Sequence, residues 1–411
     1  MKNKVLVSLL SAAVLASVIS VPAAADDSVS GSLVIWEHDY SFEKSLDELI
    51  QAFSEEYPNV EVDYEIKADG DYYSLLNTAL QSGAGPDLFW TNGTATSNMP
   101  DLVSNGICYD LSSDIDFSFM SESAMNLATI EDGIYSVPWM TMDTRTVYYN
   151  KDLFEENGWE VPKTFEEFET LLGTIKEAGI TPISLAHDEW SMLFAFEPIL
   201  AGYDPAYTEG LFDYTNNGTE APAREALQKM VDWANAGYFG DYWTGVIDNN
   251  AQILAFTTGK AAMDIAGSWD ASTIADNNPA LNLGAFAIPS SDGTTGLVGT
   301  SANGFSVNAA SENMDAALAF ANFCASKEAQ TIWVQSQGAV SGSPEIEAST
   351  EIAKEISESG AGNTYRSWQN VLSSYSAEGI ASTIWNQDFC KVFDGQMTVD
   401  EFMDELAAEM E

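Results

Sequence analysis

The sequence predicts an α/β protein built from two units. Three observations point there. Strand-like and helix-like segments alternate from residue 31 onward. The strand-like ones are β-branched, aromatic or of alternating polarity. The chain, at 411 residues, exceeds what one core usually serves. Residues 32–36 read as a strand. Leu46, Leu49, Ile50 and Phe53 then mark one helical face, stopped by Pro58. Val60, Val62, Tyr64 and Ile66 alternate with Glu61, Asp63 and Glu65, a strand of period two. Tyr73, Leu76 and Leu80 suggest the next helix, broken by Gly83 and Gly85-Pro86 before the apolar Leu88-Phe89-Trp90. This β-α-β order predicts much parallel sheet, in which ligands collect at the carboxyl ends of strands. Trp36-Glu37-His38-Asp39 and Trp90-Thr91-Asn92-Gly93 stand at two such ends.

The second unit opens with residues 134–179, IYSVPWMTMDTRTVYYNKDLFEENGWEVPKTFEEFETLLGTIKEAG. Thr146, Val147, Tyr148 and Tyr149 are β-branched or aromatic, as a strand requires. Asn150 is placed to cap a short helix over 151–157, which Gly158 ends. Thr164 and Glu167 have capping-box spacing. Phe165, Phe168, Leu171, Leu172 and Ile175 form one apolar helical face. The polar stretches 214–219 and 290–296 read as surface loops, and no internal repeat is visible.

Lys2 and Lys4, an apolar stretch over 5–21 and Ala23-Ala24-Ala25 predict an export signal over residues 1–25, cleaved after Ala25. The stretch carries four serines and is short for a membrane span. The chain has 63 acidic and 15 basic residues, a net charge of −48, or −50 without the two leader lysines. Such a surface repels nucleic acid and anionic lipid. The acids are spread along the chain, which fits a solvated acidic shell better than steering of a cationic ligand. Cys108, Cys324 and Cys390 are far apart, and no CxxC or Cys/His cluster suggests zinc. One disulfide among the three stays open in an oxidising compartment. His38 and His187 are the only histidines, which excludes a multi-histidine metal centre, and no cofactor motif stands in a suitable context.

Several segments resemble one family. "YYNKDLF" with "PKTFEEF", "SGAGPDLFW", FTTGKAAMDIAGSW over 256–269, GLVGTSANGFSVN over 296–308 and QMTVDE over 396–401 occur in the order found in family 1 extracellular solute-binding proteins, the maltose-type binding proteins of ABC importers. The resemblance implies an α/β, two-lobed periplasmic-binding-protein fold of type II, with a hinge and an interlobe cleft. It implies lobes of 26–140 plus 290–338 and 141–289 plus 339–411. Crossings are expected near residues 139–145, 286–289 and 339–344, where Pro138, Pro289 and Pro344 fit changes of direction. Many Gram-positive relatives carry a lipid-modified cysteine directly after the signal. This chain has none there, so the expected location is the periplasm or the outer face of a membrane, held by another route.

A sugar presents apolar C–H faces and a rim of hydroxyls, so its site needs flat aromatics beside carboxylates or amides. Trp36, Glu37, His38 and Asp39 offer both, and the family's loop at this place supplies polar contacts. Trp90 resembles a cleft tryptophan of the family, with Asn92 beside it. Asp188-Glu189-Trp190 resembles a sugar-holding Glu-x-Tyr pair, and Trp269, followed by Asp270, resembles the cleft-stacking tryptophan. Trp139 and Arg145 are expected near the hinge. Arg145 either salt-bridges the two lobes or meets the ligand. Trp243, after a Gly-rich loop, is a further candidate, and Trp368 and Trp385 either stack on the ligand or belong to the core, which is favoured for Trp385. The expected function is capture of a mono- or oligosaccharide by hinge closure and delivery to ABC permease subunits, by a monomer without cofactor or metal. Two alternatives stay open: the same fold binding a polyamine or quaternary amine, and a secreted glycan-active enzyme using Glu37/Asp39 or Asp188/Glu189 as its carboxylate pair.

Overall fold

The computed structural model describes residues 26, 28–38, 42–67, 72–95, 98–211, 215–241, 243–300, 304–343, 345–375 and 386–410. The leader, Asp39, Pro344 and Trp385 lie outside them.

Two sheets organise the chain. The first has the strand order Val60–Ile66, Gly31–Glu37, Leu88–Thr91, Gly304–Val307, Val137–Pro138. Its first three strands are parallel, with Gly31 opposite Val60 and Ile35 opposite Leu88. Gly304–Val307 then runs antiparallel to Leu88–Thr91. The second sheet has the order Thr364–Tyr365, Leu297–Thr300, Asp143–Asn150, Ala261–Gly267, Thr181–Ser184. Leu283–Phe286 also pairs with Asp143–Asn150. Asp143–Asn150 is antiparallel to all three of its neighbours. The expectation of mainly parallel sheet therefore holds for the first β-α-β unit and needs correcting in the second sheet. Each sheet carries its own core, one including Leu33, Ile35, Phe53 and Phe320, the other Phe168, Ile183, Phe196 and Ile265. Two sheets with two separate cores give the two-lobed α/β arrangement that the resemblance implies.

Local chemistry sets the elements largely as read. The Asn150 side chain accepts the amide N–H groups of Asp152 (3.1 Å) and Leu153 (3.2 Å), and Gly158 ends that helix at φ 68°. The face Phe165, Phe168, Leu171, Leu172, Ile175 is buried. The Thr164 hydroxyl accepts the Glu167 N–H at 3.2 Å, but the Glu167 carboxylate takes the Lys163 N–H at 2.8 Å, so only half of the expected box forms. The complete box stands at Thr398 and Glu401. All three cysteines are free thiols.

The chain first passes between the sheets after Pro138 and before Asp143. The return lies later than expected. Leu297–Thr300 still pairs with Asp143–Asn150 and only Gly304–Val307 joins the first sheet, so the boundary expected at 289/290 moves to between Thr300 and Gly304. The third passage follows the helix Lys327–Ser336, which packs on Glu43–Glu56, and precedes Glu351–Ser359, which packs on Leu283–Phe286. The first and third passages pair with each other. The Met142 N–H donates to the Val340 carbonyl (2.8 Å) and the Gly342 N–H to the Met140 carbonyl (2.7 Å), while Thr141 bridges to Ser341.

Candidate functional site

In the second lobe, the helix Glu189–Tyr203 is apolar on nearly every side, as a central helix must be. Asp188 caps its start by accepting the Ser191 N–H at 2.9 Å. From that otherwise buried rod Trp190 stands 46% exposed, with Phe194 half-buried one turn on. Trp269 is 40% exposed. It follows the carboxyl end of the strand Ala261–Gly267, where such sheets place ligands. Gly267 is required there, because a Cβ on it would overlap the Trp269 ring. Phe194 meets Trp190 with centroids 5.9 Å apart, and meets Trp269 edge-on at 5.2 Å and 78°. The three rings form one aromatic platform open to solvent.

Polar groups back the platform. The Arg145 guanidinium lies 4.4 Å from the Phe194 centroid and 5.1 Å from that of Trp269, and its Nε donates to Glu197 Oε2 at 3.0 Å. Asp270, in the first turn of the helix Asp270–Asn277, is 5% exposed and accepts from the Asn249 amide at 2.9 Å. Burial pushes its carboxyl up to about 6, against the Asn249 and Gly267 hydrogen bonds, which lower it. Deeper still, Asp264 accepts from Gln252 at 2.7 Å. Burial, with the Asp270 charge adding to it, pushes its carboxyl up to about 8.

In the first lobe, Glu37 and Thr91 end adjacent strands. The Tyr72 hydroxyl lies 2.9 Å from the Trp90 carbonyl and 3.3 Å from that of Trp36, stapling both ends. Glu37 is enclosed. It accepts the His38 N–H at 2.7 Å and faces His38 Nδ1 at 2.5 Å. The His38 ring stacks on Trp90 at 4.9 Å and 26°. Asn92, half-buried, pairs its carbonyl with the Tyr73 hydroxyl. The helix Trp368–Tyr375 of the second lobe lies against the Gly93–Ala95 turn that follows Asn92, which brings the two halves together.

The structure sorts the tryptophans differently from the sequence. Trp190 and Trp269 are gathered with Arg145 and Asp270. Trp90 is 2% exposed, enclosed by His38, Phe42 and Phe305. Trp36 points to the opposite sheet face from Glu37, as strand alternation demands, beneath the Lys67 ammonium at 4.3 Å. Trp90 is thus corrected to core, and so are three further expected ligand contacts. Trp139 stacks on Trp333 at 4.1 Å and 7°. Trp243 is packed edge-on against His187, Phe239 and Phe393. Trp368 is 1% exposed and donates its indole N–H to the Gly218 carbonyl at 2.8 Å. A tryptophan near a strand or loop end signals amphipathic placement, not direction. Phe194, Glu197 and Asn249 were missed. A signal for two of them was present: Trp190, Phe194 and Glu197 recur at i, i+4 and i+7, and Glu197 is a lone acid in an apolar run. Among the described residues, no group of three or more His, Cys, Asp or Glu side chains is placed to hold a metal ion, and no helix is long and apolar enough to cross a membrane.

The model of the family described as "Bacterial extracellular solute-binding protein" matches residues 41–331. The chain belongs to this family. It is similar to the multiple sugar-binding protein of Streptococcus mutans, 27% identical over 310 residues, 73% of this chain and 71% of that one. It is also similar to the diacetylchitobiose binding protein DasA of Streptomyces coelicolor, 28% identical over 275 residues, 65% of this chain and 62% of the other. Among solved structures, apo RafE from Streptococcus pneumoniae superposes with a TM-score of 0.75 at 22% identity, covering 94% of this solute-binding protein and 98% of RafE. That likeness speaks to the fold.

Proposed function

We propose that this solute-binding protein captures a mono- or oligosaccharide outside the cytoplasm and hands it to the permease of an ABC importer. One observation carries the reading: the solvent-open platform Trp190–Phe194–Trp269, with Arg145 against two of its rings and Asp270 next in the chain to Trp269. Flat rings suit the C–H faces of pyranose units, and the polar groups behind them suit hydroxyls. The sugar-binding relatives support the same solute class. Closure of the lobes about the paired passages at 140–142 and 340–342 would enclose the solute and define the form a permease receives.

A cationic solute fits the platform less well. The Arg145 guanidinium already occupies the space against the Phe194 and Trp269 rings, and a second cation there meets a like charge. The enzyme alternative loses one of its pairs, because Asp188 is committed to capping a helix. Thermal-shift and calorimetric titration against panels of sugars and polyamines test the reading. Stabilisation by one or more sugars is expected, growing with ligand concentration as mass action requires. Stabilisation by polyamines alone, or glycan turnover, would overturn it.

A further inference from the structure

We infer that Glu197 is a positioning residue that sets the aromatic platform through Arg145. The inference rests on the saccharide reading and assigns a part to a residue that makes no contact with the platform's open face. The Glu197 side chain is fully buried, in a helix whose other buried residues, Ser191 at its first turn apart, carry no polar side chain. Buried ion pairs add little net stability compared with apolar packing, so such a pair is better explained by the geometry it imposes.

That geometry is specific. Arg145 lies against both Phe194 and Trp269, whose rings also meet each other edge-on. Its planar guanidinium is held through Nε by Glu197 Oε2 at 3.0 Å. The other carboxylate oxygen accepts from the Ser367 hydroxyl and from the Gln369 N–H at 3.2 Å. One carboxylate thus ties together the strand that enters the second lobe, the helix bearing Trp190 and Phe194, and residues 367–369. Those residues lead into the helix that touches the first lobe at Gly93–Ala95. Pro198 strengthens the arrangement. Lacking an N–H, it leaves the Phe194 carbonyl without its usual helical partner, so the helix alone does not lock the platform's middle ring. The Arg145 guanidinium, held by Glu197, supplies that constraint.

The test uses the full mature chain labelled with fluorotryptophan, the Trp269 resonance being assigned by its loss in Trp269→Phe. In Glu197→Gln the carboxylate charge is lost at nearly constant shape. The Trp269 resonance should shift or broaden without sugar, while those of Trp139 and Trp333 in the first lobe stay in place. Affinity for the sugar that best stabilises the unmodified chain should fall about tenfold or more. Should Glu197→Gln fail to fold, Ser367→Ala leaves the ion pair and removes one of its supports. It is expected to move the same resonance and weaken affinity about twofold. An unmoved Trp269 resonance, or unchanged affinity in a chain that binds sugar, overturns the assignment. Arg145→Lys keeps the charge and loses the plane, and it should not restore the resonance; restoration would also overturn it. If no sugar binds the unmodified chain, the saccharide reading fails, while the resonance still decides whether Glu197 positions Trp269.

Discussion

Trp269 holds its place because Gly267, two residues earlier, leaves room for its ring. Gly267→Ala should therefore displace the indole and weaken solute binding by about 1–2 kcal/mol, since an added methyl in a filled space forces the neighbour to move. Trp269→Ala should abolish measurable binding yet cost less than about 1 kcal/mol of stability, as expected for a side chain 40% exposed. Calorimetric titration beside urea unfolding checks both. Severe unfolding of Trp269→Ala would instead place the ring in the core. Asp264 supports a different prediction. Its carboxyl is raised by burial from 3.8 to about 8, so between those values the folded chain keeps a proton that the unfolded chain has released. Its contribution to stability is complete below the unfolded value and is lost as pH rises through the folded one. Asp264→Asn keeps an acceptor for Gln252 and removes the titration, so it should flatten the fall in stability between about pH 5 and 8 and gain about 1–3 kcal/mol at the upper end. An unchanged slope would mean that Asp264 is not the titrating group. At this scale the sequence pointed to Trp190, Trp269, Asp270 and Arg145 through wording and residue type. It did not show that Trp139, Trp243 and Trp368 turn inward, because an indole with one polar atom suits a core and a cleft alike.

The elements that join the sheets depend on close approach and on one buried amide. Gly304 opens the returning strand opposite Pro138, and a Cβ there would overlap the Val137 carbonyl. Backbone cannot yield as a side-chain tip can. Gly304→Ala should cost about 2–4 kcal/mol by urea unfolding, with loss of the Val137–Pro138 pairing. Gln330, fully buried in the helix Lys327–Ser336, accepts the Met140 N–H at 2.7 Å and donates to the carbonyls of Pro138 (3.1 Å) and Cys324 (2.8 Å). It pins the first passage to the first lobe. On the far side the Ser268 hydroxyl donates to the Met142 carbonyl at 3.2 Å and accepts the Thr144 N–H at 3.2 Å. Closure of the lobes as proposed would therefore bend the few residues between the pins. Much of this level was legible. The Asn150 cap, the Gly158 stop and the Phe165–Ile175 face follow from local spacing, and local spacing is what a sequence displays. The return at 300–304 was misplaced because a four-residue strand such as Leu297–Thr300 is chosen by its long-range partners, Asp143–Asn150 and Thr364–Tyr365, and residue periodicity carries no record of that.

The whole molecule carries its charge as a shell, and this separates the two solute classes without any mutation. With 63 acidic and 15 basic residues, like charges repel across the folded surface and oppose compaction. Added salt screens that repulsion, so the melting temperature of the unliganded chain should rise from low to high sodium chloride. A neutral sugar bound as proposed on Trp190, Phe194 and Trp269 would meet dispersion and short hydrogen bonds, which the surrounding ions leave nearly untouched. Its affinity should stay within about twofold across the same salt range, because no net charge is transferred to the site. A polyamine drawn by the acidic shell would behave in the opposite way. Its association would be fast at low salt and its affinity would fall steeply as salt rises, as for any ligand steered by a strong field. Titrating one sugar and one polyamine over that range therefore reads the solute class from a slope. A steep salt dependence for the tightest-binding solute would put the acidic surface, not the aromatic platform, at the centre of recognition.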